Sequence, residues 1–148
     1  MIEIKKSITP LKEVMKDFGI KFNEIGIKKD DGGVDFLHGV CGLQIDGMPF
    51  ELNVAVFTEG FMEVSFRFFR LLDSVDAYKA LNEFNTQGYF NGYTEDDRFL
   101  VIYRCDPKIK DIDEAKDFLA YTLNAFTFDK VKDSFNNVSK YLENPSAN

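Results

Sequence analysis

The stretch MPFELNVAVFTEGFMEVSFRFFR, Met48 to Arg70, decides the fold class. Phe50, Leu52, Val54 and Val56 stand two apart, and so do Met62, Val64, Phe66 and Phe68. Side chains two apart share one face of a strand, so each half reads as a β-strand with one apolar face. Glu59-Gly60 supplies the turn between them. The other face is mixed: Glu51, Asn53, Ala55 and Phe57 on the first strand, then Phe61, Glu63, Ser65, Arg67 and Phe69 on the second. A sheet with one buried face and one amphiphilic face follows.

Upstream, Val34 to Ile45 alternates in the same way, with Leu37, Cys41, Leu43 and Ile45 in phase. Asp46-Gly47 between two strand patterns is a type I′ hairpin signal. Ile20 to Lys28 is a weaker strand: Ile20 and Phe22 are out of phase with Ile25 and Ile27. An edge strand with a bulge or bend is expected there. Residues 7 to 18 read as a helix with Leu11, Val14, Met15 and Phe18 on one stripe, Thr9 as cap and Gly19 as stop.

Downstream, the period changes. Leu72 to Phe84 is a helix capped by Asp73 or Ser74, its stripe formed by Val75, Tyr78, Leu81 and Phe84 with Ala77 alongside. Tyr89 to Thr94 and Arg98 to Cys105 form a second hairpin that turns at Glu95-Asp96-Asp97. Apolar residues on both faces of the latter strand place it inside the sheet. Asp111 and Glu114 open a helix as a capping box, and Ala115, Phe118, Leu119, Thr122, Leu123 and Phe126 make its stripe. Val131, Phe135, Val138, Tyr141 and Leu142 continue the apolar pattern with a phase shift near Thr127-Phe128, so a kink or a second helix is expected. The resulting order, α-β-β-β-β-α-β-β-α, is α+β with a mainly antiparallel sheet and helices mostly on one face. A single domain over residues 1–148 is expected, with 144–148 as a frayed tail.

Composition narrows the function classes. The chain has 148 residues and a formal net charge of -7, a surface that repels phosphate backbones. Nucleic acid is therefore not the expected partner. No stretch reads as a signal peptide or a membrane helix, so a cytoplasmic protein with reduced thiols and no membrane association is expected. Sixteen Phe and six Tyr are a high aromatic load; most is expected in the core, with some left over for a contact surface.

No catalytic constellation is legible. His38 is the only histidine, so no multi-histidine zinc spacing exists. His38 and Cys41 lie three apart on one strand and point to opposite faces, which rules out a dyad between them. The acidic clusters Asp30-Asp31, Glu95-Asp96-Asp97 and Asp111/Asp113/Glu114 fall at turns and a helix start, where Asp serves the local backbone. None has the EF-hand spacing. No phosphate-binding glycine motif and no nucleophile elbow occurs. Neither a cofactor nor a metal is expected.

Two contact surfaces compete with the core for the remaining apolar residues. One is the outer sheet face, with Phe57, Phe61, Arg67 and Phe69. The other is the terminal segment, with Phe135, Val138, Tyr141 and Leu142, where self-association or a partner competes with intrachain packing. An alternative reading is a small-ligand domain whose aromatic pocket is lined by Tyr89, Tyr93, Phe99 and Tyr103. A thiol enzyme using Cys41 or Cys105 is the remaining reading.

The sequence Leu81-Asn82-Glu83-Phe84-Asn85 at a helix end precedes a Gly/Tyr-containing strand and an acidic turn. The strand Phe99-Leu100-Val101-Ile102-Tyr103 and a capped amphipathic helix follow. This pattern resembles the YbjN family of bacterial sensory-transduction regulators, whose fold is similar to that of the type III secretion chaperones. The order of elements agrees from residue 8 to about 126, and the residue-level match spans Leu81 to Phe126. The resemblance implies a non-enzymatic domain, chaperone-like or regulatory, that binds other proteins, often as a homodimer. It implies no catalytic residues. Asn82 and Asn85 match the family's Asn pair, with a structural role at the helix end as the expectation.

Overall fold

The computed structural model describes residues 2–143; the expected frayed tail lies outside them. A short 3-10 turn, Ile4–Ser7, leads into α1 (Ile8–Asp17). Four strands follow: β1 (Glu24–Lys29), β2 (Asp35–Ile45), β3 (Met48–Phe57) and β4 (Met62–Arg70). Then come α2 (Val75–Asn85), β5 (Asn91–Glu95), β6 (Phe99–Asp106), α3 (Ile112–Ala125) and α4 (Asp129–Ser139). The six strands form one sheet in the order β1-β2-β3-β4-β6-β5, antiparallel at every pairing. The protein is α+β, as the alternation pattern predicts.

The β3–β4 pair holds the centre. Val54 opposes Val64 and Leu52 opposes Phe66. Leu52, Val54, Val56, Met62 and Val64 are fully buried. Their face carries the helices: Phe66 stacks on Phe126 at 4.4 Å, and Phe68 meets Phe135 at 4.7 Å. The β2–β3 turn is type I′, with Asp46 and Gly47 both at positive φ (49° and 80°). α1 lies beside α3, and α2 beside α4.

Several local expectations need correction. Thr9 does not cap α1, because the helix continues directly from the 3-10 turn and its start is not a free end; no side chain caps it. Strand β1 begins only at Glu24, since Ile20 to Asn23 form a connection that brings Phe22 into the core. The α2 stripe is Ala77, Ala80, Leu81 and Phe84, and Val75 is 82% exposed. Val75 occupies the first helical position, before the helix has turned its apolar face to the sheet. The Ser74 hydroxyl accepts the Ala77 N–H at 3.1 Å and is the cap. Asp111 accepts the Glu114 N–H at 2.9 Å, while Glu114 reaches back to the Lys110 N–H at 2.7 Å, a capping box displaced by one residue.

The terminal segment is a separate helix, α4. Val131, Phe135 and Val138 are buried in the chain's own core, Leu142 is 9% exposed, and Tyr141 is half-buried. Leu142 also forms a β-bridge with Leu71. Phe135 alone meets three aromatic rings: Phe68, Phe84 and Phe126. Intrachain packing therefore occupies the positions expected to compete for a partner.

Asn85 is not in the left-handed conformation; the C-cap of α2 is Thr86 in an ordinary helical geometry. Its side-chain amide instead pairs with the backbone of Gly92 on β5, accepting the N–H at 2.6 Å and donating to the C=O at 3.0 Å. The amide thus does for the edge strand what a neighbouring strand would do. Asn82 is exposed on the same helix.

Candidate functional site

Among the described residues all four helices lie on one side of the sheet, and none of them covers its other face. Register places the exposed side chains of that face in rows. One row runs Gly26, His38, Ala55, Glu63 and Cys105; the next runs Glu24, Val40, Asn53, Ser65, Tyr103 and Asn91. A shallow cavity of about 350 Å³ lies over the middle of these rows, with Phe36 and Phe57 at one end and Arg67, Tyr93 and Glu95 at the other.

The expected patch of Phe57, Phe61 and Phe69 divides in two. Phe57 stacks on Phe36 at 5.2 Å and meets Phe61 at 5.5 Å. Phe69 lies eight residues along from Phe61, about 26 Å at strand rise. It also sits in a bulge. Arg67 opposes Val101 and Arg70 opposes Phe99, so Phe68 and Phe69 together oppose Leu100. The bulge turns both Arg67 and Arg70 onto the Phe99 ring, at 4.8 and 5.3 Å from its centroid. Each arginine then meets the acidic β5–β6 turn: Arg67 bonds Glu95 at 2.5 Å and Arg70 approaches Asp97 at 3.0 Å. Asp96, Asp97 and Arg98 all have positive φ there, a turn held by these ion pairs rather than by glycine.

Between the two aromatic ends the face is polar. Lys28 Nζ donates to His38 Nδ1 at 3.0 Å, His38 Nε2 donates to Asn53 Oδ1 at 2.9 Å, and Asn53 Nδ2 donates to Glu51 Oε1 at 2.9 Å. His38 is thus a link in a chain across three strands. His38 and Cys105 share a row but are three strand spacings apart, about 14 Å, which excludes a hydrogen bond between them.

Cys41 is buried, and burial pushes its thiol up to about 11, with Glu51 adding to the rise. A thiol so raised is a poor nucleophile. Cys105 is exposed. An alkylating reagent at neutral pH is expected to label one thiol in the native protein, Cys105, and both in denaturant; labelling of Cys41 before unfolding would contradict the packing of β2. No group of three or more His, Cys, Asp or Glu among the described residues is placed to hold a metal ion.

Tyr89, Tyr93, Phe99 and Tyr103 do not converge. Tyr93 and Tyr103 form an edge-to-face pair at 5.3 Å, Phe99 lies under the arginines, and Tyr89 packs against Phe128 at 5.4 Å. The aromatic ligand pocket expected from these four is not assembled.

A second opening has no signature in the sequence. A groove of about 720 Å³ runs between α1 and the start of β1. Ile20, Phe22 and Ile25 line it together with Asn23, and three lysines (Lys12, Lys16 and Lys21) stand there against one carboxylate, Glu24. Phe22 reaches this position because Gly39 has no side chain; a Cβ there would stand 2.6 Å from the Phe22 ring. Lys12 and Lys16 belong to α1 and Lys21 to the connection after it, so no run of basic residues announces them. β1 is also an edge of the sheet. Asp30 donates its N–H to Val34 O. Alternation along an antiparallel ladder then turns the N–H and C=O of Ile25, Ile27 and Lys29 away from β2. The two edges therefore differ: Asn85 bonds the β5 edge at Gly92, while among the described residues nothing pairs with the β1 edge beside the groove.

No protein-family model matches the chain, and no curated protein matches it. Among solved structures it is similar to the Yersinia pestis type III secretion chaperone SycH, seen in complex with a stable fragment of YscM2. Identity is 16%, the TM-score is 0.48, and the match covers 88% of this chain and 98% of that one. A likeness at that level leaves the functional reading to this chain's own surfaces. No helix among the described residues is long and apolar enough to cross a membrane.

Proposed function

We propose that the chain is a non-catalytic protein-interaction module, chaperone-like or regulatory, that holds an extended segment of a partner protein. The observation that carries this reading is the open β1 edge beside the α1–β1 groove. An added strand would take main-chain hydrogen bonds from Ile25, Ile27 and Lys29 and place alternate apolar side chains against Ile20, Phe22 and Ile25. Lys12, Lys16 and Lys21 favour acidic residues in that segment. Lysines on an edge also deter pairing between copies of the same strand, and they oppose a basic segment far more than an acidic one.

The outer face is the second location, favoured because no described element covers it. Phe57, Phe61, Arg67 and Phe69 are its contact residues. Phe135, Val138 and Leu142 are buried and half-buried Tyr141 packs against the core, so the reading does not rest on them.

One experiment separates the two locations. Tagged wild type, Lys12→Glu/Lys16→Glu and Phe61→Ser/Phe69→Ser are used to capture partners from extract of the native cell, after each is shown to keep the wild-type Tm. The purified partner is then titrated. The lysine reversal is expected to weaken binding about tenfold or more, since charge reversal at a complementary rim typically costs that much. Loss only in the phenylalanine variant moves the site to the outer face. Undiminished binding by both variants overturns the reading.

A further inference from the structure

We infer that the cavity on the outer sheet face accepts a lysine or arginine side chain of the partner segment, with the Glu63 carboxylate as its counter-charge. This deepens the outer-face location proposed above and rests on it.

Glu63 stands at the centre of the exposed face, between Ala55 and Cys105 in register. It is half-buried, and among the described residues its carboxylate has neither a hydrogen-bond donor nor an ion-pair partner. Burial raises its affinity for a proton, and the nearby Glu95 charge raises it further. A carboxylate in that state is stabilised by any cation that reaches it.

The cations of this face are committed elsewhere. Arg67 is held by Glu95 and Asp96 and lies over Phe99. Lys28 is at the edge, donating to His38. Glu51 is spanned by Asn53, whose amide bonds it without cancelling its charge. The cavity therefore holds three carboxylates, Glu51, Glu63 and Glu95, against one guanidinium.

The walls suit a long basic side chain as well as its charge. Phe57 lies two residues beyond Ala55 on the same face, diagonal to Glu63, and stacks on Phe36. Lysine and arginine pack their methylene stems along such rings while the charged head reaches a polar site. A compact cation would leave those rings uncovered. An acidic side chain would face the same carboxylates that already raise the proton affinity of Glu63. The two surfaces thus select opposite charges: the α1–β1 groove acidic, the outer cavity basic.

The test uses a dye-labelled peptide of about ten residues alternating lysine and threonine, a length that spans one strand crossing of the sheet. Fluorescence anisotropy is read for wild type, Glu63→Gln and Glu13→Gln, the last an equal charge change on the exposed side of α1. The expected result is about tenfold weaker binding for Glu63→Gln and less than twofold for Glu13→Gln. Glu63→Gln is also expected to keep or raise Tm at neutral pH, since it removes an uncompensated charge. Equal weakening by both variants would reduce the effect to net charge and overturn the inference. So would wild-type affinity in Glu63→Gln, or no binding by the wild type. If Phe61→Ser/Phe69→Ser loses its cellular partner while Glu63→Gln binds the peptide normally, the outer-face location stands and the basic-residue inference alone fails.

Discussion

Phe135→Ala is expected to destabilise the isolated chain by about 3–5 kcal/mol, the range for deleting a buried aromatic ring. Urea unfolding would show this as a lower midpoint with an unchanged slope. The size follows from what the ring touches. Phe135 is 2% exposed and contacts Phe68 on the sheet, Phe84 on α2 and Phe126 at the end of α3. Those three cannot close over the void together, because they belong to three different elements. A Tm drop of roughly 10 °C should accompany the loss. The same substitution discriminates between the two readings of the terminal segment. Were Phe135 a contact for a second chain, truncation would lower an association constant and leave the monomer's stability nearly intact.

Gly60→Ala is expected to produce the other large loss, on the order of 3 kcal/mol. Gly60 has φ +96°, outside the conformations an alanine adopts freely. A Cβ there would stand 2.5 Å from the Ile109 carbonyl oxygen, a backbone atom that cannot step aside like a side-chain tip. Moving it would break the Ile109 N–H bond to Gly60 O, 2.6 Å long, which joins the β3–β4 turn to the segment before α3. Thermal unfolding of the variant checks the magnitude. A variant within 0.5 kcal/mol or so of wild type, the range of an ordinary surface change, would mean that the turn readily relaxes.

Most of the sheet is legible from alternation. Leu52, Val54, Val56, Met62, Val64, Phe66 and Phe68 are buried as their two-residue period requires. Where the period misleads, a local event breaks it. The bulge after Arg67 carries Phe69 out of the row that Phe57 and Phe61 begin. The connection before β1 carries Phe22 out of phase with Ile25, to cover Gly39. At Val75 the helical period is present but starts too early, because a first-turn residue need not face the sheet.

The candidate sites are less legible than the fold. Glu63 and Glu95 are thirty-two positions apart in the chain and line one cavity only because β6 and β5 join the sheet beside β4. Lys12 and Lys16 share a face of α1 by their four-residue spacing, but Lys21 joins them at the groove only because the chain after α1 turns back toward β1. Asn85 is conspicuous at the helix end, yet its bonding to Gly92 depends on α2 lying against β5.

The α+β class, the central hairpin, the type I′ turn at Asp46-Gly47, the Asp111 cap and the opposite facing of Cys41 and His38 are all legible from residue spacing. All of these depend on residues within about one strand or one helical turn of each other, where spacing alone sets which side chains meet. Packing between distant segments puts α4 in the core, lets Asn85 bond the β5 edge at Gly92 while β1 has no such partner among the described residues, and leaves Glu63 without a counter-charge among them. Those depend on which distant segments become neighbours, and pairwise packing across the chain is not encoded in the period of any one segment. The stretch from Met48 to Arg70 shows both halves. Its alternation fixes the buried face, but strand order and helix placement decide what its open face has beside it.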